Sequence, residues 1–382
     1  MQSMSQYMPA IHRTGIKLCS ISFILFSSLL YADISPLNQS QLLSPAGEYV
    51  YSANQGAHNL SAYRINQENG ELIQLSGSPY KTGEFPVSVK VSPDRRFVYV
   101  TNQGSDTISG FEVDSTTGQL TSIAGSPFAA GHFPDAVIIS PNGRFAYVTN
   151  EDDNIVRIFK VNQRSGALKL TSMTAETGKH PIAVMITPNG QFAYVSNFDD
   201  NSVSSYRVDQ TSGALTATGT PAKTDANPIY TTVTPNNDFL YVSNYGDVTV
   251  SAFHINPNSG ALTEVAGSPF ESGVRPYSVT VDATGQFVYV ANWGSHDVSA
   301  FTRDVTTGVL TKVKGSPYVS DWFPYAVVTS KHSEYVYVAN NGSDNISAYK
   351  INQKNGALTP QKTKAFKADL GPYALAIGKF EY

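Results

Sequence analysis

A chain of 382 residues, 41% hydrophobic and 11% aromatic, can bury a sizeable core. Charged residues are only 15% of it, the formal net charge is −4 and no Lys/Arg run occurs, which argues against nucleic acid as a partner. Its single cysteine, Cys19, lies near the N-terminus, so the remainder has no disulfide, thiol nucleophile or thiolate metal site.

The first segment differs from all that follows. His12, Arg13 and Lys17 precede an apolar run, Leu18 to Leu30, that ends near the small residue Ala32. A short positive region, an apolar run of about 7–15 residues and a small-residue site describe a secretory signal. The run is shorter than the roughly 20 apolar residues of a spanning helix. The expectation is a signal over 1–32, cleaved near Ala32, a lead-in over 33–43, and a periplasmic or secreted protein that meets a membrane only if that segment is retained.

From residue 44 one unit repeats. Its marker is Phe97-Val98-Tyr99-Val100-Thr101-Asn102, and the closing asparagine returns at 54, 102, 150, 197, 244, 292 and 340. A spacing of 47 or 48 residues held over seven copies signals a repeat architecture. In the second copy, Pro86 to Ser92 reads as a first strand, and Pro93 to Arg96 as a turn. Phe97 to Thr101 is a second strand, Thr107 to Val113 a third, Asp114 to Gly118 a hairpin and Gln119 to Ile123 a fourth. Short runs of Val, Ile, Tyr and Thr bounded by Gly, Pro, Asn and Asp carry these assignments. The second strand is apolar at nearly every position, which predicts burial on both faces between stacked sheets. Four strands per unit predict an all-β, seven-bladed β-propeller over 44–382. The first copy has a degraded first strand, whereas the chain ends with an unused one, so 372–378 is expected to complete the first blade and remove the open edge.

Alternating strand direction puts the connections on two opposite faces. The lower turns are near-copies, such as Ser140-Pro141-Asn142-Gly143, and read as turn chemistry. The upper loops vary, and the residues flanking each opening proline should ring the mouth of the central channel. Glu84, His132, His180 and Arg275 are the candidate catalytic groups there. Asp135, Asn227, Tyr230, Tyr277, Trp322, Tyr325 and Tyr373 are the candidate ligand-binding groups. Polar groups over aromatic walls suit a small-molecule site; ordinary solvated rim is the competing reading. The position two after each opening proline is small in six copies and Tyr230 in the fifth. No paired histidine spacing points to metal. Asp152-Asp153 and Asp199-Asp200 read as solvated loop carboxylates, with calcium between them the competing reading. The repeated asparagine reads as structural, since a catalytic residue is needed once. No cofactor is expected, and a closed disc is expected to be a monomer.

These motifs, with Ser140-Pro141-Asn142-Gly143-Arg144-Phe145 and Gly260-Ala261-Leu262-Thr263, resemble the YVTN-type propellers. Those in turn are similar to the seven-bladed lactonase family that includes bacterial 6-phosphogluconolactonase. The resemblance covers roughly 44–378 and implies the fold. The enzyme branch places Arg-His directly after an opening proline. Here those pairs are Val87-Ser88, Asp135-Ala136, Ile182-Ala183, Ile229-Tyr230, Tyr277-Ser278, Tyr325-Ala326 and Tyr373-Ala374, so no catalytic residue is carried over. The leading expectation is an exported scaffold that binds a small molecule or protein through its upper loops. The alternative is a lactone hydrolase, with Glu84 or a rim histidine as general base and Arg275 steadying the oxyanion.

Overall fold

The computed structural model of the protein describes residues 47–361 and 365–380. The expected signal segment and lead-in lie outside the described residues. Seven antiparallel sheets form, numbered here as blades one to seven in the order of the repeat. In blade two the strands run Pro86–Val91, Phe97–Asn102, Thr107–Val113 and Leu120–Ser122, from the axis outward. The first strands of successive blades neighbour one another around a closed circle. Closure is as expected: Pro372–Phe380 pairs antiparallel with Gly47–Asn54, Tyr51 opposite Ala376, and becomes the first strand of blade one.

The outer strand departs from the expected single segment 119–123. In six blades it comes as two pieces, here Leu120–Ser122 and Phe128–Ala129, both paired with the third strand. In blade two Gly125, at φ 85°, and Pro127, which cannot donate to the ladder, lie between the pieces; blade seven breaks between Pro360 and Phe366 without either residue. Blade three has neither residue at that point, and its outer strand runs unbroken over Leu168–Glu176.

The second strand shows why the motif recurs. All six residues of Phe97–Asn102 are buried, because adjacent sheets cover both faces. Phe97 and Tyr99 pack with Val137, Val148 and Phe159 of blade three. The Tyr99 hydroxyl donates to the Gly166 carbonyl in the next blade's hairpin at 2.7 Å. The same bond joins Tyr147 to Gly213, Tyr194 to Gly260, Tyr241 to Gly308 and Tyr289 to Gly356, and Tyr337 reaches Gly70 across the closure. Burial pushes these phenols well above their ordinary pKa, so they remain donors.

The hairpin glycine therefore has two duties. Gly166 sits at φ 70°, and a methyl group there would strike the Phe97 ring and lie 2.7 Å from Ile123 Cδ1. Gly166→Ala adds left-handed strain to overpacking and is expected to lower stability by about 2–4 kcal/mol, read from the denaturant midpoint. A shift below about 0.5 kcal/mol, the size of an ordinary surface change, would show that the interface gives way freely.

The repeated asparagine is structural, as expected. Asn102 Nδ2 donates to Thr107 Oγ1 at 3.1 Å and Ser109 Oγ at 2.9 Å, tying the second strand to the third. Blade three again differs: Ile155 and Arg157 replace those partners, and Asn150 Nδ2 turns to the Thr149 carbonyl at 3.1 Å.

Candidate functional site at the channel mouth

Two local devices aim side chains at the mouth. Each first strand loses register just after its opening proline, as between Pro134 and Val137 or Pro276 and Ser278. A bulge of this kind frees one residue from the ladder and redirects its side chain. The freed residue is the one after the proline: Asp135, Tyr277, Tyr325, Tyr373 and their equivalents. The preceding blade then holds several of them by the backbone. Thr149 Oγ1 donates to the Ile182 carbonyl at 2.9 Å, and Ser243 Oγ to the Tyr277 carbonyl at 2.8 Å.

At this ring, and along the first strands beneath it, the axis is narrow. The cavity between the first strands leaves about 50 Å³ open to the centres of water-sized molecules, against the roughly 300–1,000 Å³ of usual ligand sites. Lower still, Lys90 Nζ donates to the Tyr230 hydroxyl at 3.1 Å, from blade two across the axis to blade five. Tyr230, the exception to the small-residue rule, thus obstructs the channel.

The mouth has two unlike halves. On one side two carboxyl groups are buried together: Asp135 is 7% exposed and Glu151 0%. Burial first, then the charge of Glu151 and a hydrogen bond with it, hold the Asp135 carboxyl well above the usual range. Two carboxylates this close resist ionising together. Gln103 Nε2 donates to Asp135 Oδ2 at 3.2 Å, which orients the carboxyl.

The other half is aromatic. Tyr325 lies 4.5 Å, centroid to centroid, from both Tyr277 and Tyr373, and the hydroxyls of Tyr277 and Tyr373 are hydrogen-bonded. Burial above all, and after it the field of neighbours that include Asp135, pushes both hydroxyls well above the ordinary phenol value. Trp293 stacks on Phe323 at 4.8 Å and 20°. The Arg275 guanidinium lies over the rings of Tyr245 and Trp293, 5.6 and 5.2 Å from their centroids.

The remaining candidates are spread around the rim. Glu84 is exposed. His132 Nδ1 lies 3.4 Å from Asp106, and His180 Nδ1 2.6 Å from Asp199. Asn227 Nδ2 donates to the Phe198 carbonyl at 3.1 Å, and exposed Trp322 stacks on His296 at 5.5 Å. No hydrogen bond or ion pair among the described residues joins Glu84, His132, His180 and Arg275 to one another. Of the paired loop carboxylates, Asp153 bonds Arg157 at 3.0 Å and Asp200 accepts from the Lys179 amide at 2.8 Å. Among the described residues no cluster of His, Cys, Asp and Glu is placed to hold a metal ion.

Sequence reasoning missed Glu151, Tyr245 and Trp293. All three directly follow the repeated asparagine, whose successor donates its amide to the carbonyl preceding the opening proline: Glu151 to Phe133 at 3.0 Å, Trp293 to Arg275 at 2.9 Å. That bond seats a second ring of side chains above the first. Comparing the residue after the asparagine across the seven copies would have singled out the lone acid.

A closed seven-bladed propeller with a buried carboxyl pair and an aromatic wall at one mouth defines the class: an axial-site β-propeller. The sequence matches the model of the lactonase, 7-bladed beta-propeller family over residues 40–132, 124–232 and 230–322, and the chain belongs to that family. No curated protein matches it. Among solved structures it is similar to a proposed 6-phosphogluconolactonase of Bacteroides fragilis, with TM-score 0.77 and 22% identity over 90% of this chain and 100% of that one. It is also similar to the periplasmic gluconolactonase of Pseudomonas aeruginosa, with TM-score 0.70 and 19% identity over 88% of this chain and 99% of that one. At such identities the likeness establishes the fold.

Proposed function

We propose that the protein is a lactone hydrolase whose acid–base group is the Asp135–Glu151 pair. The observation that carries this reading is two carboxyl groups buried together at the axial mouth of a lactonase-family propeller. Family membership favours it over the scaffold reading. The ionised member of the pair takes a proton from water as the water oxygen bonds to the lactone carbonyl carbon. The ring C–O bond then breaks, the protonated member gives its proton to the departing ring oxygen, and a hydroxy acid leaves. In the hydrogen-bonded Tyr277–Tyr373 pair one hydroxyl donates to the other, and the remaining O–H, kept protonated by burial, is the donor for the developing oxyanion, with Arg275 adding positive field from the rim. The buried pair has a stronger claim to the general base than Glu84 or the rim histidines, because it lies where the first strands converge. The signal reading of residues 1–32, and the periplasmic gluconolactonase among the similar structures, support a periplasmic or secreted location.

The purified protein is expected to hydrolyse glucono-δ-lactone or a simpler δ-lactone above the spontaneous rate, read by acid release in weak buffer. Arg275→Ala is expected to lower kcat/KM about 10–100-fold. Folded protein that leaves every lactone at its spontaneous rate would end this reading.

A further inference from the structure

The pair of residues before each opening proline, read around the rim, is not uniformly polar. On blades six, seven and one the outer member is Val274, Trp322 and Leu370, and these are 49, 64 and 54% exposed. At the next blade Phe85 is 48% exposed. Single exposed apolar residues are ordinary, but four on consecutive connections of one face form an arc, and such arcs mark binding surfaces. This arc is continuous with the proposed site. Trp322 touches Phe323 edge-on at 6.2 Å, Phe323 stacks on Trp293, and Trp293 meets Tyr325 edge-on at 6.4 Å. An aromatic ladder thus descends from solvent to the tyrosines opposite the carboxyl pair.

Resting on the hydrolase reading, we infer that the lactone this mouth takes carries an apolar substituent, an alkyl or acyl chain, laid along the Trp322–Phe323–Trp293 ladder. A ring held between the carboxyl pair and the tyrosines would have its substituent leave along whichever wall favours it. The acid half offers buried carboxyl groups, whereas the other half runs from Trp293, buried beneath the Arg275 guanidinium, to the exposed apolar rim at Trp322. Burying a chain of about five carbons there is enough to dominate selection between lactones of the same ring.

The test compares δ-valerolactone, its pentyl-substituted relative δ-decalactone, glucono-δ-lactone and a phosphorylated sugar lactone. Binding is followed separately with the pentyl-substituted δ-lactam, which resists hydrolysis. The chain has two tryptophans, Trp293 and Trp322, both on the ladder, so intrinsic fluorescence reports occupancy without turnover. The expected results are at least a tenfold higher kcat/KM for δ-decalactone than for δ-valerolactone, about a tenfold rise in the δ-decalactone KM in Trp322→Ala, and a saturable fluorescence change with the lactam. Lactam binding without hydrolysis of any lactone would retain the ligand class and remove the hydrolase reading. Hydrolysis indifferent to the pentyl chain and to Trp322→Ala would keep the hydrolase and overturn this inference. So would fastest turnover of the phosphorylated lactone lost in Arg275→Ala, or a dimer in solution that Trp322→Ala dissociates, which would make the arc a contact between copies.

Discussion

Asp135→Asn and Glu151→Gln are each expected to lower kcat/KM by about two to four orders of magnitude, the usual worth of a positioned acid–base group. The same Asp135→Asn chain is expected to be more stable than the parent at pH 8, and the sign follows from linkage. Burial and the Glu151 charge hold the Asp135 proton to higher pH in the folded chain than in the unfolded one. Between the ordinary carboxylate value, about 4, and the raised folded value, the folded state carries the extra proton. Stability therefore falls as pH rises through that window. Asparagine has no such proton, so its melting temperature should decline less from pH 5 to pH 8. Thermal melts at the two pH values, alongside the rate assay, separate the possibilities. A variant that keeps its activity removes the pair from the chemistry. A variant that loses activity and stability equally at both pH values reduces Asp135 to a packing residue. The parent activity should change with pH above the ordinary carboxylate range, where the raised Asp135 carboxyl loses its proton.

The second large effect concerns closure. A chain ending at Gly371 loses the strand that pairs with Gly47–Asn54 and exposes the axial edge of blade one. That edge is a template for pairing between chains. The truncated protein is expected to lose its cooperative unfolding transition and to sediment as aggregate. Gly47 lies opposite Phe380 in the register, so a turn of about four residues can join them. New ends can then be opened between Thr116 and Thr117, in an exposed hairpin. This permuted chain is expected to fold with stability within about 2 kcal/mol of the parent, since short connections change closure entropy only slowly. If truncation leaves the melting curve intact, or permutation destroys it, the terminal strand is not what holds the ring.

Much of the architecture could be read in one dimension because it is written seven times. The asparagine interval, the prolines that open first strands and the glycines before fourth strands all report local backbone requirements, and local requirements survive in sequence. The continuous apolar run of Phe97 to Thr101 announced burial on both faces, and the strand is buried on both. The two-piece outer strand was missed because Phe128–Ala129 is too short to carry a pattern of its own. It is recognisable only by the partner it pairs with.

The mouth was legible in part. The repeat register gives each blade one residue after its opening proline, and in three blades that residue is Tyr277, Tyr325 or Tyr373. Their arrangement was not legible, because Tyr277, Tyr325 and Tyr373 come from three blades and meet only once the circle closes. The Lys90–Tyr230 bond across the axis joins blades two and five and has no counterpart in any single repeat.

By itself, then, the sequence determined the number of blades, the strand order within them and the strand that closes the disc, because each depends on periodicity and turn chemistry within about fifty residues. Tertiary structure alone decided which side chains share the axis. It set the rings of Tyr277, Tyr325 and Tyr373 together, put Lys90 within reach of Tyr230 across the axis and laid Trp293 between Tyr325 and Phe323. The physical reason is the curvature of the ring: Tyr277 and Tyr373, 96 positions apart, and Lys90 and Tyr230, 140 apart, become neighbours at its centre, whereas Asp135 and Glu151 meet within one blade, beside the strand pair Pro134–Ile139 and Phe145–Asn150.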